Sequence, residues 1–157
     1  MEEIWKDIYF EDKGKIYDYR GFYQVSNLGR VKSLSRERNN QYSNKEIILK
    51  QSQDDKGYCQ IILNKDSKRK SYKVHKLVAE MFLDKNKFKS MPNEDRNKID
   101  LNKLQINHIN EFEKNNNCVE NLEYCTRLYN CNYGTRNERV NPWKNGNRIR
   151  RKKYDKS

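Results

Sequence analysis

Short runs of alternating apolar and polar residues begin the chain, and this pattern predicts strands. One run covers residues 4–8, and two more, residues 22–26 and 30–34, flank the segment Asn27-Leu28-Gly29. An Asn-x-Gly segment between two alternating runs is typical of a β-hairpin. We therefore predict an N-terminal strand, a charged loop, and then a hairpin over residues 22–34.

The middle of the chain continues with short strands and adds a helix. Residues 35–44 are polar and indicate a linker or long loop. Runs at 46–49, 58–63 and 72–74 predict a three-stranded antiparallel meander. Apolar residues then repeat at helical spacing, which predicts a short amphipathic helix over residues 75–83. Residues 84–103 are charged and loop-like.

The last patterned segment predicts two strands and a helix. The strands are expected at residues 104–109 and 122–125. Thr126 is a suitable N-cap for a helix over residues 127–133, and Gly134 can end that helix in a left-handed conformation. Residues 136–157 lack apolar periodicity. The whole pattern predicts an α+β protein with small antiparallel β-sheets and short helices.

Net charge changes this picture, because it indicates a polyanionic partner. The 157 residues include 34 Lys and Arg against 22 Asp and Glu, a formal net charge of +12. Basic side chains gain free energy by displacing counterions condensed on nucleic acid. Most of the excess lies in residues 127–157, and we predict phosphate contacts there from Arg148, Arg150, Arg151 and Lys152. A solvated charge run without a partner is the simpler alternative.

Other features narrow the class of protein. No apolar run reaches 18 residues and the chain starts with acidic Glu2 and Glu3, so we expect no membrane span, no export and a cytoplasmic location. The four cysteines show no Cys-x-x-Cys spacing, which argues against a zinc site or a redox pair. The chain holds 5 Phe, 11 Tyr and 2 Trp, so a packed fold is expected despite 36% charged residues.

The predicted hairpin carries polar side chains that suit DNA contact. They are Gln24, Ser26, Arg30, Lys32 and Ser33. Such groups donate to phosphates and base edges, and a two-stranded ribbon fits the major groove. The simpler alternative is an ordinary sheet edge.

Residues 107–130 combine side chains that suit phosphodiester hydrolysis. That reaction needs a nucleophilic water, a base, and a cation that neutralises charge on the phosphate and the leaving oxygen. His108 lies beside Asn107 on an expected strand, and Asn130 on the expected helix can reach the same ion. Amide oxygens are hard ligands that suit Mg²⁺.

Simpler readings apply to neighbouring residues. Asparagine is abundant, at 21 of 157 residues, and it favours turns through local hydrogen bonds. Asn115, Asn116 and Asn117 are therefore interpreted as a turn. His75 begins the expected helix beside an apolar face, so we expect a structural or capping role for it. His108 is then the candidate base.

Three motifs, which follow one another along the chain, resemble those of a known family. Residues 106–109, residues 116–124 and Asn130 resemble the HNH nuclease motif, the His-Me finger with its ββα-metal fold. Residues 74–82 are similar to the helix before that motif in phage and intron-encoded homing endonucleases. Residues 3–8 and 23–34 resemble the nuclease-associated modular (NUMOD-type) DNA-binding motif.

The resemblance implies a division of the chain. Residues 1–36 would form the NUMOD-type region and residues 45–134 the HNH nuclease domain. Its ββα finger would cover residues 104–134, and residues 135–157 would be a basic tail. One finger in each chain predicts a monomer that nicks one strand, whereas a homodimer would permit a double-strand break.

The resemblance also implies roles for individual residues. His108 would be the general base, Asn107 and Asn130 the metal ligands, and Asn121 the residue that braces the finger and orients the histidine. The family often has Asp at the position of Asn107. The turn after His108 is one residue longer than the family pattern, which leaves Asn110 open as a substitute ligand.

The implied function is a DNA endonuclease of phage or homing type. It would cleave double-stranded DNA in a bacterial or phage-infected cell, with Mg²⁺ or Mn²⁺ and without zinc. An HNH-derived DNA-binding protein that has lost catalysis shares the charge and sheet features and stays open as an alternative. A structural protein stabilised by a zinc site is disfavoured by the cysteine spacing.

Overall fold

Short antiparallel strands build most of the regular structure. The computed structural model describes residues 1–38, 41–43 and 45–135. The strands in this part of the chain are β1 (Trp5–Asp7), β2 (Tyr9–Asp12), β3 (Lys15–Asp18), β4 (Tyr23–Ser26), β5 (Val31–Ser33), β6 (Arg36–Arg38), β7 (Gln41–Ser43), β8 (Ile47–Ile48), β9 (Ser52–Gln53), β10 (Cys59–Lys65), β11 (Lys68–Lys73), β12 (Gln105–His108) and β13 (Leu122–Cys125). The α-helices are α1 (Val74–Phe82) and α2 (Arg127–Asn132).

The strands form several small sheets. One has the order β1-β4-β5-β8 and another the order β11-β10-β9, while β2-β3, β6-β7 and β12-β13 are two-stranded. In the predicted hairpin, Val25 lies opposite Val31, and Gly29 takes a φ of +81° in the turn. The prediction of an α+β fold with small antiparallel sheets and short helices is confirmed.

Three expectations about individual segments are wrong. The charged loop after β1 is the hairpin β2-β3, whose Phe10 and Tyr17 stack on one another and pack edge-on against Tyr72. The polar segment 35–44 contains the paired strands β6 and β7. The expected first strand of the meander is β8, which pairs with β5, while β9 takes the edge beside β10. In the first and third cases, packing against Tyr72 or pairing with the distant strand β5 outweighs local polarity, whereas β6 and β7 pair locally.

One apolar core joins the N-terminal strands to α1 and to the sheet of β10 and β11. Val25 and Val31 of the hairpin lie in it with Leu63 of β10 and Leu77 of α1, all fully buried. Helix α1, predicted to within one residue at each end, buries Val74, Leu77, Val78 and Ala79. Residues on both sides of position 36 therefore share this core, and the division into regions stays a prediction.

A second, smaller core fixes β13 against α1. It contains Ala79, Phe88 and Tyr124. The backbone of Lys89 donates to the Tyr124 carbonyl at 2.7 Å and accepts from Thr126 at 2.9 Å, so the 84–103 segment lines the outer edge of β13. None of the helices in the described ranges has the length and apolar character needed to cross a membrane.

Candidate functional site

Strands β12 and β13 and helix α2 form one unit, which we call the finger. In its ladder Asn107 lies opposite Glu123 and His108 opposite Leu122. The Thr126 side chain accepts from the backbone N–H of Tyr129 at 3.1 Å, which is the predicted N-cap of α2. Gly134 follows the helix with a φ of +55°, as predicted. This ladder defines the register of β12 against β13, which the longer turn after His108 left undetermined in the sequence.

Neighbouring residues of β12 act on opposite sides of the strand. Side chains alternate along a strand, so Gln105 and Asn107 share one face while Ile106 and His108 share the other. The first face meets α2, because Asn130 donates to Gln105 Oε1 at 2.7 Å. The second face turns to the protein interior. The candidate base and the candidate metal ligands therefore approach the strand end from two sides.

Asn107 and Asn130 both contact residues on the α2 side of β12, and their shared role as metal ligands stays a prediction. Asn107 Nδ2 donates to Glu123 Oε1 at 2.9 Å, and Asn130 Nδ2 donates to Gln105 Oε1 at 2.7 Å. A carboxylate can only accept, so this bond requires the amide orientation seen at Asn107. Within residues 1–38, 41–43 and 45–135, no hydrogen bond uses the Oδ1 atom of either asparagine.

The amide oxygens of Asn107 and Asn130 suit a hard divalent cation. In the described part of the chain no cluster of three or more His, Cys, Asp or Glu side chains is arranged to hold a metal ion. The available ligands are instead the two amide oxygens, which suit Mg²⁺ or Mn²⁺. Two neutral ligands leave most of a coordination sphere to water and substrate oxygens. None of the four cysteines forms a disulfide.

His108 is held in an orientation and charge state that suit a general base. Its side chain is only 5% exposed, and Nε2 lies 3.3 Å from Asn117 Oδ1. An amide oxygen accepts, so the proton sits on Nε2 and Nδ1 carries the basic lone pair. Burial lowers the pKa of His108 below its usual range, which keeps the imidazole neutral near pH 7.

Asn117 is therefore a site residue that sequence reasoning missed. The segment 115–117 was interpreted as a turn, yet Asn117 is 3% exposed and contacts the candidate base. Asn115 and Asn116 are exposed, as expected for turn residues. The only sequence signal was an asparagine four residues before Asn121, which is weak in a chain so rich in asparagine.

Of the two roles expected for His75, the structural one applies, because His75 does not cap α1. The helix lacks a side-chain cap at its N-terminus, and His75 Nδ1 is buried without a partner in the described residues. Its ring packs edge-on against His108, with centroids 5.1 Å apart, and against Tyr58 at 5.2 Å. Burial, followed by the charge of His108, lowers the pKa of His75 to about 4. His75 is thus a neutral packing partner of the candidate base.

Asn121 braces the loop that connects the two strands. It is 8% exposed; its Oδ1 accepts from the backbone N–H of Asn110 at 2.8 Å, and its Nδ2 donates to the Asn116 carbonyl at 2.9 Å. These bonds tie the start of the loop to its end. The His108 ring contacts Asn117 rather than the Asn121 side chain, and the predicted task of Asn121 in orienting the histidine stays a prediction. Asn110 is exposed, and its own Oδ1 accepts from the backbone of Phe112 within the turn.

Three of the predicted DNA-contact residues lie at the outer surface of the hairpin, each with an acidic partner. Gln24 and Lys32 are opposite one another in the β4-β5 ladder, and Arg30 is exposed at the turn. The pairs are Gln24 with Asp7 at 2.7 Å, Lys32 with Glu46 at 2.8 Å, and Arg30 with Glu3. The charges of Arg30 and Lys32 are thus partly compensated within the protein.

The other predicted contact residues are not available on that surface. Ser33 alternates onto the core side of β5 and is 7% exposed. Ser26 is fully buried, and its Oγ accepts from the backbone N–H of Arg30 in the turn. The expectation of one shared polar face is therefore wrong for both serines. Arg148, Arg150, Arg151 and Lys152 lie outside the described residues.

The hairpin turn touches the loop that holds the candidate base. A Cβ atom added to Gly29 would lie 2.8 Å from Asn117 Cβ and 3.0 Å from the Asn117 backbone. The backbone N–H of Val119 also donates to the Asn27 carbonyl at 2.8 Å. The hairpin turn thus packs against Asn117 and supports it.

Comparisons with known proteins identify proteins to which this chain is similar. The NUMOD4 motif matches residues 3–64. An uncharacterised HNH endonuclease of Acanthamoeba polyphaga mimivirus is 34% identical over 139 residues, which is 88% of this chain and 27% of the relative. A solved structure, described as DNA binding and cleavage by the HNH homing endonuclease I-HmuI, is 31% identical with a TM-score of 0.53. It covers 90% of this chain, and the match spans 60% of that protein.

The resemblance found in the sequence is therefore confirmed. The chain carries a NUMOD4 motif, is homologous to an HNH endonuclease, and is structurally similar to an HNH homing endonuclease. It spans about a quarter of the viral relative and under two thirds of the structural one.

Proposed function

We propose that this chain is an HNH endonuclease that hydrolyses phosphodiester bonds of double-stranded DNA with the help of Mg²⁺ or Mn²⁺. The observation that carries the proposal is the neutral His108, held through Nε2 by Asn117 at 3.3 Å, on the strand that also bears Asn107. The likeness to HNH endonucleases and the NUMOD4 motif support the same activity.

The chain's own groups divide the chemistry between them. His108 Nδ1 accepts a proton from the attacking water, and the Nε2–H bond to Asn117 strengthens as the imidazole becomes positive. His75 stays neutral beside it and adds no repelling charge. Asn107 and Asn130 would hold the cation, which when bound neutralises charge on the phosphate and the leaving oxygen.

DNA binding combines the hairpin with the basic C-terminal residues. Arg30, Lys32 and Gln24 exchange their acidic partners for phosphates or base edges. Arg148, Arg150, Arg151 and Lys152 add contacts that are independent of base sequence. With one finger in each chain, a monomer of this phage-type or homing enzyme would nick a single strand.

A plasmid assay tests the proposal, with the two neighbouring histidines as a matched pair. Wild type, His108→Ala and His75→Ala are incubated with supercoiled plasmid and Mg²⁺ or Mn²⁺, with and without chelator. We expect metal-dependent nicking that falls about 10²- to 10⁴-fold in His108→Ala, the usual contribution of a general base. His75→Ala should mainly weaken folding or DNA binding.

Each possible result has a definite reading. Binding of DNA without any nicking by wild type would support the alternative of a catalytically inactive, HNH-derived DNA-binding protein. Loss of nicking in His75→Ala alone, with both variants folded, would transfer the role of base to His75.

A further inference from the structure

Glu123 lies where a carboxylate can act on the candidate metal site without being a ligand. It faces Asn107 across the β12-β13 ladder, and its Oε1 accepts from Asn107 Nδ2 at 2.9 Å. This bond turns Asn107 Oδ1 away from Glu123. The carboxylate thus determines which atom of the amide is available as a ligand.

The charge of Glu123 is not compensated by a cation in the described part of the chain. No lysine or arginine of residues 1–38, 41–43 and 45–135 forms an ion pair with it, although eight other ion pairs occur there. The side chain is only partly exposed, which weakens screening by solvent.

A hydrogen bond from the amide NH₂ to a carboxylate also changes the amide itself. Donation to a charged acceptor polarises the amide group and places more negative charge on its oxygen. Partners of this kind orient metal ligands and raise their basicity in metalloproteins. Asn107 is a neutral ligand, and Glu123 places a negative charge directly behind it.

We propose that Glu123 is a positioning residue that orients and polarises Asn107, so that a neutral amide binds a divalent cation. The inference rests on the metal site of the proposed function. It also makes a prediction that a direct ligand would not share. Either oxygen of an aspartate at position 107 can bind a cation without being turned by Glu123, so Glu123→Gln should change cation binding less in that background.

A double-mutant cycle on the full chain tests the proposal by Mn²⁺ binding, measured from the electron paramagnetic resonance signal of free Mn²⁺ with and without a DNA duplex. The proteins are wild type, Glu123→Gln, Asn107→Asp and the double variant. We expect Glu123→Gln, as the only change in the chain, to weaken Mn²⁺ binding about tenfold or more. The same change should weaken binding clearly less in the Asn107→Asp background, where no amide is left to orient.

Two controls separate charge from structure. Glu120→Gln removes the same charge from an exposed residue three positions earlier in the chain and should leave Mn²⁺ binding within about twofold. The side-chain NH₂ resonances of Asn107, recorded by NMR without metal, should shift upfield in Glu123→Gln because the charged acceptor is lost. That shift tests the bond even where metal affinity is low.

The outcomes distinguish this inference from the proposed function. Unchanged Mn²⁺ binding and unchanged Asn107 resonances in Glu123→Gln would overturn the inference, as would equal weakening in both backgrounds, which indicates a direct ligand. Wild type that binds Mn²⁺, with the expected dependence of the Glu123→Gln effect on residue 107, but never nicks plasmid would overturn the proposed function alone. Wild type that binds no Mn²⁺ with DNA present would overturn both.

Discussion

The finger and the hairpin hold their polar side chains in opposite ways. In the finger, His108, Asn117 and Asn121 are nearly or fully buried and bond to neutral amides and backbone groups. At the hairpin surface, Arg30 and Lys32 bond to carboxylates of Glu3 and Glu46 that come from other segments. One region has buried neutral partners, and the other has accessible charged ones.

The difference fits the two tasks of the proposed function. A buried polar group left without a partner costs about 1–3 kcal/mol, so the finger's side chains keep one arrangement. An exposed ion pair contributes about 0–1 kcal/mol, so a phosphate can replace the carboxylate at little cost. A preorganised arrangement suits catalysis, and exchangeable partners suit DNA binding. Substitutions should therefore act on stability and chemistry in the finger, and on affinity and its salt dependence in the hairpin.

The largest effect is expected when the brace of the finger is removed. Asn121→Ala leaves the backbone groups of Asn110 and Asn116 without their partner, and it should lower the free energy of unfolding by about 2–4 kcal/mol and abolish most nicking. Urea denaturation and the plasmid assay measure both effects. Asn102→Ala, the same change at an exposed site, should stay within about 0.5 kcal/mol of wild type. Equal stability of the two variants would show that the brace is unimportant.

A smaller effect is expected at the contact between the two regions. Gly29→Ala and Gly57→Ala introduce the same side chain at nearly the same φ, +81° and +82°. Only the first meets a neighbour, Asn117, at 2.8 Å, whereas nothing lies within 4 Å of the second. Displacement of Asn117 should slow nicking at saturating DNA by about ten- to a hundredfold, because catalysis is sensitive to misplacement on the order of 1 Å.

The pair of glycines separates backbone strain from the contact. Both variants should lose about 1 kcal/mol of stability because Ala is disfavoured at positive φ, and Gly29→Ala should lose more because its side chain displaces Asn117. Single-turnover nicking rates and melting temperatures give the two readouts. Equal rates in the two variants would mean that the hairpin does not support the candidate base.

The smallest effect is expected from releasing a hairpin cation. Glu3→Gln frees Arg30, while Glu2→Gln changes the net charge equally at an exposed neighbour. Glu3→Gln should raise DNA affinity about two- to fivefold more than Glu2→Gln at low salt, in line with the strength of an exposed ion pair. Fluorescence anisotropy at low and high salt measures it. A gain that persists at high salt would contradict an electrostatic origin.

Several features were predictable because their causes are local. The alternating residues of β4 and β5 and the spacing of Leu77 and Val78 in α1 are visible in any short window of sequence. The same holds for Thr126 as an N-cap and Gly134 at a positive φ. Each depends on residues within about one turn or one hairpin. The pairing of β8 with β5 was not predictable, because strand partners are selected by packing between distant segments.

The sequence by itself determined which chemistry the chain carries. Its motifs placed His108, Asn107, Asn121 and Asn130 in one short segment, and its charge indicated a polyanionic partner. Only the tertiary structure decided which of many asparagines matter and how. Asn117 contacts His108 because Gly29 and the hairpin turn pack behind it, and Glu123 meets Asn107 because the ladder has one register. Burial and cross-strand pairing are properties of the folded chain, so identical residue types acquire different roles.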